Sequence, residues 1–124
     1  MSRILLVEDN EKNMKLLRDV LTAKGYRILE ATSGEEAVTL TLAEEPRLVL
    51  MDVQLPGIDG VEALRRIRED ARTIGITVLA LTAQAMDGDR ERFLAAGFDG
   101  YLSKPVNIAD FITTVKRYCE GSGR

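Results

Sequence analysis

Residues 4–10, with the sequence ILLVEDN, are the best guide to the fold of this chain, because they join a strand, a polar turn and a helix start. The apolar run 4–7 is continuous rather than alternating, which is typical of a strand covered on both faces in a parallel sheet. Glu8 and Asp9 follow this run directly, and Asn10 is a favourable N-cap for the helix that comes next. A strand that passes through a polar turn into a helix is the repeating unit of an α/β fold.

The same unit recurs along the rest of the chain. Further apolar runs that predict strands lie at residues 27–31, 48–51, 77–81 and 100–103. Helix starts between them are indicated by Ser33 with Glu36, by Asp59 with Glu62 and by Asn107. A fourth helix is predicted over residues 90–96, although its apolar stripe is thin.

Five strands alternating with five helices predict a single doubly wound α/β domain, with a five-stranded parallel sheet in the order 2-1-3-4-5. We place this domain at residues 1–120 and a flexible tail at residues 121–124. Residues 39–42 alternate like a strand, but the cap at Ser33 favours a helix there. The third helix carries Val61, Leu64 and Ile67 as its apolar positions.

Composition excludes several classes of function. The chain contains no histidine, which removes histidine-based zinc sites and histidine-activated nucleophiles. Its single cysteine, Cys119, forms no intrachain disulfide. A net charge of −3 is unlike the basic surface of nucleic-acid binders, so we expect no direct nucleic-acid contact. The apolar run near Met1 is too short for a signal peptide or a membrane span, so we expect a cytoplasmic protein without membrane contact.

Polar side chains collect at the carboxyl ends of the predicted strands. Glu8 and Asp9 follow the first strand, Asp52 the third, Thr82 the fourth and Lys104 the fifth. The ligand crevice of a sheet with this order lies between strands one and three. Three carboxylates and one ammonium carry a charge of −2, which favours a hard divalent cation such as Mg²⁺. Carboxylates are also nucleophiles in phosphoryl transfer, so the sequence predicts a site where a phosphoryl group meets one of these carboxylates.

In their order along the chain, four motifs resemble those of bacterial response-regulator receiver domains. They are VEDN at 7–10, MDVQLPGIDG at 51–60, LTA at 81–83 and GYLSKP at 100–105. The resemblance covers residues 3–118, with details similar to DivK-type single-domain regulators and to the receivers of hybrid histidine kinases.

The resemblance implies a phosphorylation site. Asp52 would be the phosphoacceptor, and the phosphoryl group would contact Lys104, the Thr82 hydroxyl and the Ala83 main-chain amide. Tyr101 would be the switch aromatic that moves inward as Thr82 shifts.

The resemblance also implies a metal site. Asp9, Asp52 and the main-chain carbonyl of Gln54 would ligate Mg²⁺, for which Mn²⁺ could substitute. Glu8 would help to hold the ion through water, and the bond before Pro105 would be a cis peptide.

We therefore expect a signalling switch of a two-component or phosphorelay system, phosphorylated by a histidine kinase or a histidine phosphotransfer protein. The chain would assist its own phosphorylation and dephosphorylation without being an enzyme. We expect no output domain after Tyr118, so the signal would leave by protein–protein contact through the fourth helix, fifth strand and fifth helix.

Two alternatives stay open. A small Mg²⁺-dependent phosphohydrolase would use Asp52 as a covalent nucleophile, but such enzymes usually carry a second acid at the position of Gln54. An interaction module that is never phosphorylated is disfavoured, because every position of the predicted site is filled.

Overall fold

The computed structural model of this chain describes residues 2–83, 89–104 and 107–120. The predicted tail at 121–124 and the predicted cis bond at Pro105 lie outside the described residues. Strands and helices alternate strictly in the part described. They are β1 (Arg3–Val7), α1 (Glu11–Ala23), β2 (Arg27–Ala31), α2 (Gly34–Glu44), β3 (Leu48–Asp52), α3 (Gly60–Glu69), β4 (Thr77–Thr82), α4 (Asp89–Ala96), β5 (Gly100–Ser103) and α5 (Ile108–Glu120).

The strands form one parallel sheet in the order β2-β1-β3-β4-β5, which confirms the predicted fold class. Strands β3 and β4 are buried along their whole length, as their continuous apolar runs predict. Leu6 and Leu50 pack against α1 and α5 on one face, while Leu5 and Val49 pack against α2, α3 and α4 on the other. Within the described residues, no helix has both the length and the apolar character that crossing a membrane requires.

Helices α1, α2, α3 and α5 begin where the sequence predicts, because polar side chains accept hydrogen bonds from main-chain N–H groups in their first turns. Asn10 caps α1, Ser33 caps α2 and Asp59 caps α3. Asn107 does the same for α5, where its Oδ1 accepts a hydrogen bond from the N–H of Asp110. Residues 39–42 are helical, so the alternating pattern there does not form a strand.

Val61 is one of the apolar positions of α3, yet it is 38% exposed, and Gly60, Ala63, Leu64 and Ile67 form the buried face of this helix. The reason is the close approach of Gly60 to the end of β3. The Gly60 N–H donates to the Val53 carbonyl, and a Cβ on Gly60 would lie 2.6 Å from the Asp52 carbonyl oxygen. With Gly60 against the strand, the helical period turns Ala63 and Leu64 inward and Val61 outward.

Candidate functional site

Three acidic side chains meet at the carboxyl ends of the adjacent strands β1 and β3. Glu8 and Asp9 follow β1, and Asp52 is the last residue of β3. One carboxylate oxygen from each of the three lies within 4.8 Å of the other two. Glu8 and Asp52 are buried, whereas Asp9 is exposed at the mouth of the site. We call this group, together with Lys104, the acidic pocket.

Lys104 brings one positive charge between the two buried acids. Its Nζ donates to Glu8 Oε1 at 2.6 Å and to Asp52 Oδ2 at 2.7 Å. The main chain sets this position, because the Lys104 N–H donates to the Thr82 carbonyl at 2.7 Å, just beyond the last pair of the β4–β5 ladder. Parallel pairing at the edge of the sheet therefore carries the ammonium to the ends of β1 and β3.

The charge of Lys104 is stabilised by its two acidic partners. Burial works to lower its pKa, but the hydrogen bonds to Asp52 and Glu8 and the charges of both acids raise the pKa above its usual value. The ammonium therefore stays charged at neutral pH. Three carboxylates against one ammonium leave a charge of −2, which suits a divalent cation with oxygen ligands.

Both buried carboxylates are oriented by the main chain as well as by Lys104. Glu8 Oε2 accepts a hydrogen bond from the Asn10 N–H at 3.0 Å. Asp52 Oδ1 accepts one from the Gln54 N–H, also at 3.0 Å. Each carboxylate thus has one oxygen on an N–H group two residues later and the other on the ammonium. This arrangement holds both side chains in one orientation.

The remaining candidate residues lie on β4 and β5 or directly beside them. Thr82 is the buried last residue of β4, and Ala83 follows it as an exposed residue. Tyr101 pairs with Ala80 in the β4–β5 register, so it lies on the same face of the sheet as Thr82. Its ring centroid lies 6.1 Å from that of Phe93, on α4.

Sequence reasoning missed two contacts. The direct pairing of Lys104 with Glu8 was not foreseen, although opposite charges at the ends of two strands were a signal for it. The second contact joins Glu35 to the loop between β3 and α3, where Glu35 Oε2 accepts a hydrogen bond from the Ile58 N–H at 3.2 Å. No local pattern marks Glu35, because its partner lies 23 positions away.

Comparisons with known proteins show the family to which the chain belongs. The family model of the response regulator receiver domain matches residues 4–116. The polar-differentiation response regulator DivK of Brucella ovis is 44% identical over 115 residues, which cover 93% of this chain and 94% of that protein.

Two solved structures extend the comparison to the fold. One is the receiver domain of the sensor histidine kinase PA1611 from Pseudomonas aeruginosa PAO1, with a magnesium ion coordinated in its active-site cleft. Its TM-score is 0.88 at 37% identity, covering 96% of this chain and 98% of that one. The other is a co-crystal structure of the Saccharomyces cerevisiae phosphotransfer protein Ypd1 and the receiver domain of its downstream response regulator Ssk1. It matches with a TM-score of 0.88 at 30% identity, and the match covers 95% of this chain and 88% of that one. This chain therefore belongs to the response regulator receiver domain family and is a signalling domain of two-component systems.

Proposed function

We propose that this receiver domain is a phosphorylation-dependent switch that accepts a phosphoryl group on Asp52. The observation that carries the proposal is the place of the Asp52 carboxylate, which is buried at the end of β3 and hydrogen-bonded to Lys104 Nζ at 2.7 Å. The donor would be a histidine kinase or a histidine phosphotransfer protein. The Ypd1–Ssk1 co-crystal structure supports a donor of the second kind.

The proposed reaction transfers the phosphoryl group between two side chains. An Asp52 carboxylate oxygen bonds to phosphorus as the P–N bond of the donor phosphohistidine breaks, and the released imidazole takes up a proton. Lys104 would then donate to a phosphoryl oxygen, joined by the Thr82 hydroxyl and the Ala83 amide. Catalysis of this kind consists mostly of positioning and neutralisation of charge, and the positive charge would come from Lys104 and from a cation bound in the acidic pocket.

We also propose that the acidic pocket binds Mg²⁺, with Mn²⁺ as a substitute. Asp9, Asp52 and the Gln54 carbonyl would be the direct ligands, and the bound ion would neutralise charge on the phosphoryl oxygens. Glu8 would act through water, which is supported by its two existing contacts, Lys104 Nζ and the Asn10 N–H. The donors fit the ion because all are oxygens and those of the three acids lie within 4.8 Å. The magnesium ion in the PA1611 receiver also supports the assignment.

Phosphorylation can be tested by incubating the protein with acetyl phosphate and Mg²⁺ and measuring its intact mass. We expect wild type to gain one phosphoryl group, and Asp52→Asn to gain none. The matched control is Asp59→Asn, because Asp59 ends the loop that follows Asp52 but caps α3, and asparagine caps equally well. A wild type without added mass, or an Asp52→Asn variant with as much, contradicts the proposal. Continuous release of phosphate from a generic ester would favour the phosphohydrolase instead.

The signal would pass from Thr82 to Tyr101 and leave through α4, β5 and α5. This route is supported by the ring contact between Tyr101 and Phe93, and by the 40% exposure of Leu94 on α4. We expect the NMR signals of Tyr101 to change on phosphorylation in wild type, but much less in Thr82→Ala. Equal changes in both proteins would remove Thr82 from the route. Residues 1–120 as the switch unit and a cytoplasmic location stay predictions.

A further inference from the structure

The loop of residues 53–59 joins β3 to α3 and contains Gln54, whose carbonyl is a proposed Mg²⁺ ligand. Its two ends are fixed by the main chain. The Val53 N–H donates to the Leu81 carbonyl at 3.0 Å, and the Gly60 N–H donates to the Val53 carbonyl at 2.9 Å. Neither bond involves the outer part of the loop, residues 56–58, which is held by another element.

That other element is the start of α2. Glu35 Oε2 accepts a hydrogen bond from the Ile58 N–H, and a Cβ on Gly57 would lie 2.5 Å from Glu35 Oε1. Gly57 has a φ of +73°, so it combines a left-handed conformation with this close approach. Gly34 lies equally close, since a Cβ there would overlap the Ile58 carbonyl oxygen. The first two residues of α2 therefore contact the loop directly.

The carboxylate of Glu35 is not needed to cap its own helix. Ser33 Oγ accepts a hydrogen bond from the Glu36 N–H at 3.1 Å. Glu36 Oε1 in turn accepts one from the Thr32 N–H at 2.7 Å. Ser33 thus caps α2, and the Glu36 side chain turns back to the residue before the cap, much as the acid of a capping box turns back to the cap itself. The contact of Glu35 with Ile58 is therefore separate from the capping of α2.

We propose that Glu35 is a positioning residue for the part of the acidic pocket that would bind Mg²⁺ through the Gln54 carbonyl. By holding Ile58, it restricts the loop and keeps the Gln54 carbonyl beside Asp52. A loop released at Ile58 samples more conformations, and a cation that binds the Gln54 carbonyl must then order it first. This inference rests on the proposed function, because it assumes that the pocket binds a divalent cation.

The test compares Mn²⁺ binding, measured by electron paramagnetic resonance, in wild type, Glu35→Ala, Glu35→Gln and Glu36→Ala. Glu35→Ala should raise the dissociation constant about fivefold, which corresponds to the loss of one net hydrogen bond. Glu35→Gln keeps an acceptor oxygen and should recover most of the affinity. Glu36→Ala removes the capping contact with Thr32 and weakens the same helix end, yet it should bind Mn²⁺ like wild type. Hydrogen exchange at the Ile58 amide should accelerate in Glu35→Ala and much less in Glu36→Ala.

The outcomes separate this inference from the proposed function. A wild type that binds no Mn²⁺ rejects the cation site itself. A wild type that binds Mn²⁺ with no loss in Glu35→Ala rejects only the role of Glu35. Equal weakening in Glu35→Ala and Glu36→Ala also rejects it, because the effect would then come from general loosening of α2.

Discussion

Lys104 Nζ lies 2.7 Å from Asp52 Oδ2, although 52 positions separate the two residues in the chain. The same ammonium lies 2.6 Å from Glu8 Oε1, across 96 positions. The Lys104 side chain is 18% exposed, and those of Glu8 and Asp52 are 2% and 9% exposed. One cation is therefore the shared counter-ion of two buried carboxylates.

Replacing Lys104 with methionine should destabilise the protein, because it leaves Glu8 and Asp52 buried beside each other without their counter-ion. Breaking a buried ion pair on one side costs roughly 3 kcal/mol, and we expect a loss of that order in the free energy of unfolding. Urea unfolding at neutral pH measures it. Saturating Mg²⁺ should recover part of the loss, since a ligand of the native state stabilises that state.

The control for this variant is Lys15→Met. Lys15 also donates to a carboxylate, that of Asp19 at 2.6 Å, but their side chains are 70% and 53% exposed. Exposed pairs contribute less than about 1 kcal/mol, so this variant should unfold almost like wild type. If Lys104→Met loses no more stability than Lys15→Met, the buried ion pair does not stabilise the fold.

Loss of charge at Asp9 should mainly weaken Mg²⁺ binding, whereas loss of charge at Glu8 should mainly lower the stability of the fold. Asp9 is exposed, so Asp9→Asn should change the unfolding free energy by less than about 0.5 kcal/mol. As a proposed direct ligand, it should weaken Mg²⁺ binding at least about tenfold. Glu8→Gln should cost about 2 kcal/mol of stability, because it removes a charged partner of Lys104, and should affect Mg²⁺ less. Calorimetric titration measures the Mg²⁺ affinity, and urea unfolding measures the stability. If Glu8→Gln weakens Mg²⁺ binding more and Asp9→Asn costs more stability, Glu8 is the direct ligand and Asp9 is not.

Glu62 on α3 should titrate with a pKa well below the ordinary value of a glutamate. Hydrogen bonds from Arg65 and then Arg66 lower its pKa from 4.5 to about 2. A carboxyl whose pKa falls on folding stabilises the native state above its unfolded pKa. That contribution is lost as the pH falls from 4.5 towards 2. NMR titration of the Glu62 side-chain carboxyl measures the pKa directly.

Variants of Arg65 and Arg66 separate the contributions of these two arginines to the lowered pKa of Glu62. Arg65 donates to both Glu62 oxygens, at 2.9 and 2.7 Å, whereas Arg66 donates to one at 2.9 Å. Arg65→Ala should therefore raise the pKa of Glu62 more than Arg66→Ala does. A wild-type Glu62 that titrates near its ordinary value would mean that these contacts do not persist in solution.

Gly60→Ala should be destabilising and should disturb Asp52. A Cβ at this position would lie 2.6 Å from the Asp52 carbonyl oxygen and 2.9 Å from the Val53 Cα, and main-chain atoms cannot yield as a flexible side chain does. We expect a loss of about 1–3 kcal/mol in urea unfolding, and slower phosphorylation by acetyl phosphate.

Gly75→Ala is the matched control. A Cβ on Gly75 would meet nothing within 4 Å, and its φ is not positive. This variant should stay within about 0.5 kcal/mol of wild type, or gain slightly. Equal behaviour of the two alanine variants would show that α3 can move away from β3.

Local patterns were sufficient for most of the fold. The caps at Asn10, Ser33 and Asp59 and the apolar runs of β3 and β4 were predictable, because capping and burial depend on residues near each other in the chain. The exposure of Val61 was not predictable in this way, because it follows from the approach of Gly60 to Asp52, which lies in another element. Periodicity shows that a helix has an apolar face, but the contact with the sheet decides which residues complete it.

The order of the elements, and the sheet edge at which Glu8, Asp9, Asp52 and Lys104 collect, follow from the amino-acid sequence alone. Residue type and strand direction are enough for that, since parallel strands all end at one edge. The bridge that Lys104 forms between Glu8 and Asp52, and the contact of Glu35 on α2 with Ile58, depend on the packing of the folded chain. Hydrogen bonds form over about 3 Å, and the strand register and the packing of helices bring such distant residues within that range.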